Sequence, residues 1–203
     1  MFDLKNLIEA AGYLGLFGIV FAESGLFIGF FLPGDSLLFT AGFLASQNYL
    51  NIVWLIVIIF TAAVIGDNVG YYFGQYSGPK IFKKPESLFF KPEYLHKAQA
   101  FYEQHGGKTI ILARFMPFVR TFAPIVAGAG RMDHKKFVFY NIVGGAIWTL
   151  SMLLGGYFLG KVVPNADKYV LPIVAAIIVA SVAPSVIALI KSRMKNKNSV
   201  GNS

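Results

Sequence analysis

Five charged side chains interrupt the apolar stretches of this chain, and four of them, two arginines and two acids, are of types that suit anion binding and proton transfer. Arg114 and Arg120 lie on either side of Pro117, so a turn at this proline would direct both guanidinium groups into one cavity. A guanidinium is a planar fork of donors that can hold a phosphate through two hydrogen bonds. Glu23 and Asp35 are acidic counterparts, because a carboxylate at low dielectric favours its protonated form and can exchange protons. The pattern predicts phosphate binding by the arginines and proton coupling by the acids.

The same charges also have purely structural interpretations. The two acids would then do no more than neutralise the two arginines in a buried cluster. Because a buried ion pair is often no better for stability than well-packed apolar residues, stability alone is a poor reason to keep one. Asp35 follows Pro33-Gly34 and also suits the N-cap of a helix that begins at Ser36. Asp67, late in another apolar segment, suits either a supporting role in the site or a hydrogen bond between packed helices.

The composition places these charges in a membrane. The chain has 203 residues, of which 56% are apolar and 14% charged, and its mean hydropathy is +0.60. Soluble domains average about 25% charged residues. We attribute the net charge of +8 to lysines and arginines that flank membrane segments, and not to nucleic-acid binding. With no cysteine, thiolate metal sites and disulfides are excluded, and the histidines have no metal-ligand spacing, so neither metal nor cofactor is predicted.

The breaks in the apolar segments predict how the chain holds its charges. Residues 13–50 are interrupted at Pro33-Gly34-Asp35, and residues 110–132 at Pro117 and Pro124. Each internal proline removes a backbone donor and breaks or kinks a helix. Such backbone is tolerated at membrane depth only where protein or a water-filled cavity lines it. We therefore predict that both segments are re-entrant helical hairpins.

Three further segments are long and apolar enough to cross the membrane, at about residues 52–76, 137–160 and 169–190. Residues 1–190 then form a single membrane-embedded domain, followed by a basic tail at residues 191–203. If both hairpins return to the side from which they enter, thirteen of the 18 lysines and arginines lie on one face. The positive-inside rule makes that face, and with it the C-terminus, cytoplasmic.

A weak internal repeat relates the two hairpins. In the first unit Gly70 lies 28 positions after Gly42 of the pair Ala41-Gly42. In the second unit Gly156 lies 28 positions after Gly128 of the pair Ala127-Gly128. Each unit is thus a hairpin followed by one spanning helix, and one unit enters from each side. This inverted arrangement is typical of transporters, whose binding groups lie near the midplane. The predicted fold is an all-α integral membrane protein with two inverted repeats and an additional C-terminal transmembrane helix.

At these residues the chain resembles the DedA family, the bacterial branch of the SNARE-associated Golgi protein (VTT-domain) superfamily. The resemblance covers about residues 12–160, and its most specific part is the arginine motif Arg-Phe-Met-Pro-Phe-Val-Arg at residues 114–120. The other residues that carry it are Glu23, Pro33-Gly34-Asp35, Ala41-Gly42, Gly66-Asp67, Tyr72, Gly74, Gly107-Lys108, Pro124, Ala127-Gly128, Met132, Phe137, Asn141, Gly144 and Trp148.

The resemblance implies a flippase that moves undecaprenyl phosphate or a phospholipid across the bacterial plasma membrane, driven by the proton motive force. It matches Arg114 and Arg120 to the basic pair, and Glu23 and Asp35 to the acidic pair, that such proteins need. The alternative is a proton-coupled ion antiporter. An enzyme is disfavoured, because the apolar segments hold no histidine or cysteine nucleophile. The expected partners are membrane lipids, with no nucleic acid, and a homo-oligomer stays open.

Overall fold

The computed structural model describes residues 4–25, 34–81 and 106–163, and every regular element in these ranges is an α-helix. The predicted all-helical class is thereby confirmed for these ranges. The predicted span at 169–190, the tail at 191–203 and Pro33 lie outside them. The helices are α1 (Leu4–Gly25), α2 (Gly34–Ser46), α3 (Ile52–Ile81), α4 (Lys108–Ala113), α5 (Pro117–Ala129) and α6 (His134–Val162).

Helices α3 and α6 are long and apolar enough to cross a membrane, α3 over Ile52–Gly78 and α6 over its whole length. At about 1.5 Å per residue each such stretch is about 40 Å long, more than the roughly 30 Å of a hydrocarbon core. Their outward faces carry large exposed apolar side chains, among them Trp54 at 60% and Phe158 at 61% exposure. Such faces suit contact with lipid tails.

Helix α1 begins at Leu4, nine residues before the predicted start of the first hairpin at residue 13. The only interruption on that stretch is Gly12, and a single glycine weakens a helix by only about 1 kcal/mol. The chain therefore continues as one helix to Gly25.

The two long helices run antiparallel. Near the middle of α3, Val64 lies against Gly145 and accepts a hydrogen bond from the Asn141 side chain at 3.0 Å. Four residues later along α3, Asn68 Oδ1 lies 3.2 Å from His134 Nε2, at the beginning of α6. Because the partners move backward along α6 as α3 advances, the end of α3 meets the start of α6.

Helix α2 packs parallel to α6 through glycine contacts. Gly156 lies directly against the backbone of Phe39, and Gly160 lies against Ser46. A Cβ at Gly156 would overlap the Phe39 carbonyl oxygen, so the helices approach this closely only because that position has no side chain.

Helix α5 packs parallel to α3 in the same manner. Gly70 contacts Pro124, and Gly78 lies against Ala129. Helix α4 runs in the same direction as α6. Gly107, just before α4, lies beside Tyr140, and the turn that follows α4 lies further along α6. Because α3 and α6 are antiparallel, α4 and α5 form a hairpin whose outer ends lie at one end of the bundle.

Helices α1 and α2 also form a hairpin, and it points in the opposite direction to the hairpin of α4 and α5. The Tyr13 hydroxyl accepts a hydrogen bond from the Asn51 backbone at 2.8 Å, just before α3, and Gly25 lies on Gly66 in the middle of α3. Helix α1 therefore runs parallel to α3, whereas α2 follows α6 and runs antiparallel to α3. The two helices thus form a hairpin whose outer ends lie at the opposite end of the bundle.

The two prolines of the second hairpin differ in their effect. Pro117 is the first residue of α5, where its missing N–H costs no helical hydrogen bond. The hairpin turns just before it, at residues 114–116. Pro124 lies inside α5 without ending it, so the predicted chain reversal occurs at Pro117 alone.

We expect Gly156→Ala to lower the free energy of unfolding by about 1–3 kcal/mol, because the new methyl group overlaps the Phe39 backbone. Denaturation in mixed detergent micelles measures this change. Gly18→Ala is the matched control: nothing lies within 4 Å of the added Cβ, so this change in α1 should be neutral or stabilising by up to about 1 kcal/mol. Equal effects of the two substitutions would contradict the packing at Gly156.

Candidate functional site

The guanidinium of Arg120 bridges the two acids of the first hairpin. Its Nη2 donates a hydrogen bond to Glu23 Oε1 and its Nη1 donates one to Asp35 Oδ1. The side chains of Arg120 and Glu23 are 11% and 4% exposed, whereas that of Asp35 is 34% exposed. One arginine thus joins the second hairpin to both helices of the first, with Asp35 as the most accessible member.

The local sequence explains why both acids reach this point. Glu23 lies in the last turn of α1 and Asp35 in the first turn of α2. Between them, Gly34 begins α2, and a Cβ there would overlap the Glu23 carboxylate. The missing side chain lets Glu23 approach the N-terminus of α2, whose partial positive charge stabilises an anion. Asp35 is the second residue of α2, whereas the N-cap role suggested by the sequence requires a helix that begins at Ser36.

Trp148 of α6 completes the first cluster. Its indole Nε1 donates a hydrogen bond to Asp35 Oδ1 at 2.9 Å, and the Arg120 Cζ lies 5.2 Å from the ring centroid. A cation over a tryptophan face is attracted by the ring quadrupole. Trp148 is 2% exposed, so it holds both Asp35 and Arg120 from a fixed, buried position.

Arg114 belongs to a second cluster. Its Nη2 donates hydrogen bonds to Asp67 Oδ2 on α3 and to Asn141 Oδ1 on α6. Asn141 also donates to the carbonyl of Val64 at 3.0 Å, which fixes the orientation of its amide. Arg114, Asp67 and Asn141 are 5%, 4% and 0% exposed. The turn of the second hairpin is thereby tied to both long helices.

The predicted site residues thus fall into two neighbouring clusters. The sequence predicts that Arg114 and Arg120 share one cavity; the structure gives each arginine its own acidic partners, Asp67 for Arg114 and the acids of the first hairpin for Arg120. Asp67 is the acidic partner of Arg114, which lies in the turn of the second hairpin. Asn141 and Trp148 were not predicted as site residues, and their only sequence signal is their place in the DedA-like pattern.

Both clusters retain unused hydrogen-bonding capacity. Glu23 Oε2, Arg114 Nε and Arg120 Nε are buried and have no hydrogen-bond partner within the described residues. An unsatisfied buried polar group costs about 1–3 kcal/mol, so such atoms call for an explanation. Two arginines against three acids also give these five side chains a net charge of −1 when all are ionised. The arrangement can therefore accept a proton, or exchange an acid for another anion at Arg120.

Comparison with known proteins gives the family. Residues 32–158 match the VTT domain. Protein DedA of Escherichia coli (strain K12) is 49% identical over 195 residues, which cover 94% of this chain and 89% of that protein. An uncharacterized membrane protein of Mycobacterium leprae (strain TN) is 44% identical over 170 residues, covering 84% and 76%. Inner membrane protein YqjA of Escherichia coli (strain K12) is 32% identical over 194 residues, covering 91% and 87%.

No solved structure matches this chain. The VTT match includes all of α3, α6 as far as Phe158, and every member of the two charged clusters except Glu23, which precedes it. The Mycobacterium leprae relative and YqjA are named as membrane proteins, which agrees with the two helices that are long and apolar enough to cross a bilayer. The chain belongs to the DedA family of membrane proteins, with its VTT domain at residues 32–158.

Proposed function

We propose that the protein is a flippase for a lipid phosphate, undecaprenyl phosphate or a phospholipid, and that protons drive it. One observation carries this proposal: Arg120 bridges Glu23 and Asp35 at the meeting point of two helical hairpins, largely out of contact with water. The phosphate head group would cross between the hairpins while the acyl or prenyl tail stays in the lipid.

The helix directions support two re-entrant hairpins in an inverted repeat. The first hairpin has its outer ends at the start of α3, and the second has its outer ends at the end of α3. The second helix of each hairpin packs on the long helix of the other unit, α2 on α6 and α5 on α3. This reciprocal packing is what two units of opposite orientation would produce. With the lysines at the start of α6 in the cytoplasm, α6 ends on the outer side, and the span predicted at 169–190 would return the C-terminus of this multi-pass plasma-membrane protein to the cytoplasm.

The coupling of phosphate to protons follows from competition for Arg120. Glu23 and Asp35 each hold one terminal nitrogen of Arg120, so a phosphate that binds both terminal nitrogens competes with these acids for the guanidinium. Protonation of one acid removes its negative charge and weakens its hold on the arginine. An incoming phosphate also adds to a net charge that is already −1, and uncompensated charge in a low-dielectric interior costs several kcal/mol. Phosphate binding and proton uptake therefore favour each other.

The two arginines have different roles in this scheme. Arg120 exchanges partners, since Asp35 is its most exposed one. Arg114 stays with Asp67 and Asn141, which come from helices on either side of it, and provides a fixed positive charge and the unused donor at Nε. The phosphate is thus attracted by both groups but displaces carboxylates from only one.

The proposal is tested by placing the purified protein in liposomes and measuring how fast the head groups of labelled polyprenyl phosphate and labelled phospholipid change leaflets. A pH gradient should accelerate this movement above that of protein-free liposomes. No acceleration for either lipid would overturn the flippase proposal. Inorganic phosphate is measured in the same samples, and its release from the lipid would show an enzyme instead.

We expect Glu23→Gln to abolish the pH dependence of transport, because the amide keeps the shape of the side chain but cannot gain or lose a proton. Transport rates of the wild type and the variant are compared over a pH series around neutrality. Asp133→Asn is the matched control, since Asp133 is exposed and caps α6 away from the clusters. An unchanged pH profile in Glu23→Gln would remove the proposed proton role of Glu23.

A proton-coupled ion antiporter is the second candidate, and the net charge of −1 favours it. Such a cluster attracts a cation more readily than an anion, and Glu23 Oε2 offers an unused acceptor. Proton movement driven by a cation gradient, in liposomes that show no lipid movement, would establish this function in place of the first.

A further inference from the structure

We propose that the N-terminal end of α6 binds the head group of an anionic membrane lipid, at a site separate from the two charged clusters. A surface cavity of about 420 Å³ lies at this end of the bundle. The residues that line it are Gly106, Gly107, Lys135, Lys136, Phe139 and Tyr140.

The floor of the cavity is shaped by two glycines. Gly106 has a φ of +65°, a left-handed conformation that favours glycine. Gly107 lies against the ring of Tyr140, which occupies the space where a Cβ would point. Helix α4 starts at the next residue, Lys108, so the glycine pair holds the start of the second hairpin close to α6. The cavity is therefore built into the backbone.

The rim of the cavity is basic. Lys135 and Lys136 are exposed in the first turn of α6, and Lys108 is exposed beside the glycine pair. None of the three forms a salt bridge within the described residues. The nearby acid, Asp133, accepts a hydrogen bond from the Lys136 backbone at 2.9 Å and so caps the helix. Positive charge remains in excess, and it suits a phosphate group.

The surface next to the lysines is apolar, which favours a lipid over a soluble anion. Phe139 follows Lys135 by four residues and is 62% exposed, and Ile142 three residues further on is 42% exposed. Residues at this spacing lie on one face of a helix. A lipid whose phosphate contacts the lysines would place its acyl chain along this face. The lysines would then lie at the membrane surface, where basic side chains are attracted to an anionic leaflet. Free phosphate would gain nothing from that face.

Native mass spectrometry of the full chain in detergent tests the site, with phosphatidylglycerol as the anionic probe and phosphatidylcholine as the uncharged reference. We expect the double variant Lys135→Gln/Lys136→Gln to bind phosphatidylglycerol roughly 30-fold more weakly, with phosphatidylcholine unaffected. Lys161→Gln is the control, because Lys161 stands at the other end of α6, 5.3 Å from the Tyr157 ring, and should leave both affinities unchanged.

Several results would overturn the inference. Equal phosphatidylglycerol affinity in the wild type and the double variant would do so, as would an equal loss in Lys161→Gln. Displacement of the lipid by inorganic phosphate at matching concentration would show a general anion site. Phe139→Ala keeps every charge. It should weaken the binding of long-chain phosphatidylglycerol several-fold and leave the binding of a short-chain analogue unchanged. If the variant binds both lipids with wild-type affinity, the lipid assignment is contradicted. This site does not depend on the proposed flippase activity.

Discussion

Replacing Arg120 with lysine is expected to lower the rate of lipid-phosphate translocation by roughly 10- to 150-fold. Lysine keeps the positive charge but has a single ammonium group in place of the planar fork, so it cannot hold a phosphate through two parallel hydrogen bonds. One charge-assisted hydrogen bond of about 1.5–3 kcal/mol is therefore lost, and about 1.4 kcal/mol corresponds to a factor of ten in rate. The measurement is leaflet exchange of a labelled polyprenyl phosphate in liposomes.

The matched control is Arg131→Lys, the same substitution at an exposed position just after α5. It should leave the transport rate unchanged, because Arg131 lies at the end of the bundle and not between the hairpins. A wild-type rate in Arg120→Lys would refute the phosphate-binding role of the fork. A slow rate in both variants would point to a general effect of arginine replacement.

Arg114→Met is expected to lower the free energy of unfolding by about 3–5 kcal/mol. The substitution leaves Asp67 buried with no opposite charge beside it and removes the donor to Asn141. Methionine has a similar length and keeps the apolar contacts, so the change reports the loss of the guanidinium. Denaturation in mixed detergent micelles measures it, with Arg131→Met as the exposed control.

The double variant Arg114→Met/Asp67→Leu separates the ion pair from other effects. Removing both charges should restore at least half of the lost stability, because a buried pair replaced by apolar residues is often neutral for stability. If the effects of the two single substitutions simply add, the two side chains are not coupled and the proposed anchor is wrong. The same double variant should still lose transport, since the fixed positive charge is gone.

In the proposed transport the two clusters have different tasks. The Arg114 cluster ties the turn of the second hairpin to α3 and α6, and all of its members are buried. The Arg120 cluster joins the two hairpins to each other, and it includes the accessible Asp35. Exchange of partners at Arg120 can therefore alter the contact between the hairpins while Arg114 keeps their framework in place.

Much of the architecture could be predicted from local sequence. Hydrophobic length locates α3 and α6, because a bilayer requires about 20 consecutive apolar residues. Pro117 locates the turn of the second hairpin, because proline is favoured at the first position of a helix, whereas Pro124 lies inside α5 and marks no turn. Buried charge marks Glu23, Arg114 and Arg120, because ionised groups in apolar segments are too costly to occur without partners.

The choice of partners was decided by the tertiary structure alone. Asp67 lies 47 positions from Arg114, and Arg120 lies 85 positions from Asp35 and 97 from Glu23, so no local pattern relates them. Whether both arginines share one cavity depends on how closely α2 and α6, and α3 and α5, approach each other. Glycines at positions without room for a Cβ allow these helices to pack closely. In this packing Arg114 pairs with Asp67, and Arg120 pairs with the acids of the first hairpin. The residue types are thus determined by the sequence, and their pairing by the packing of helices that are distant along the chain.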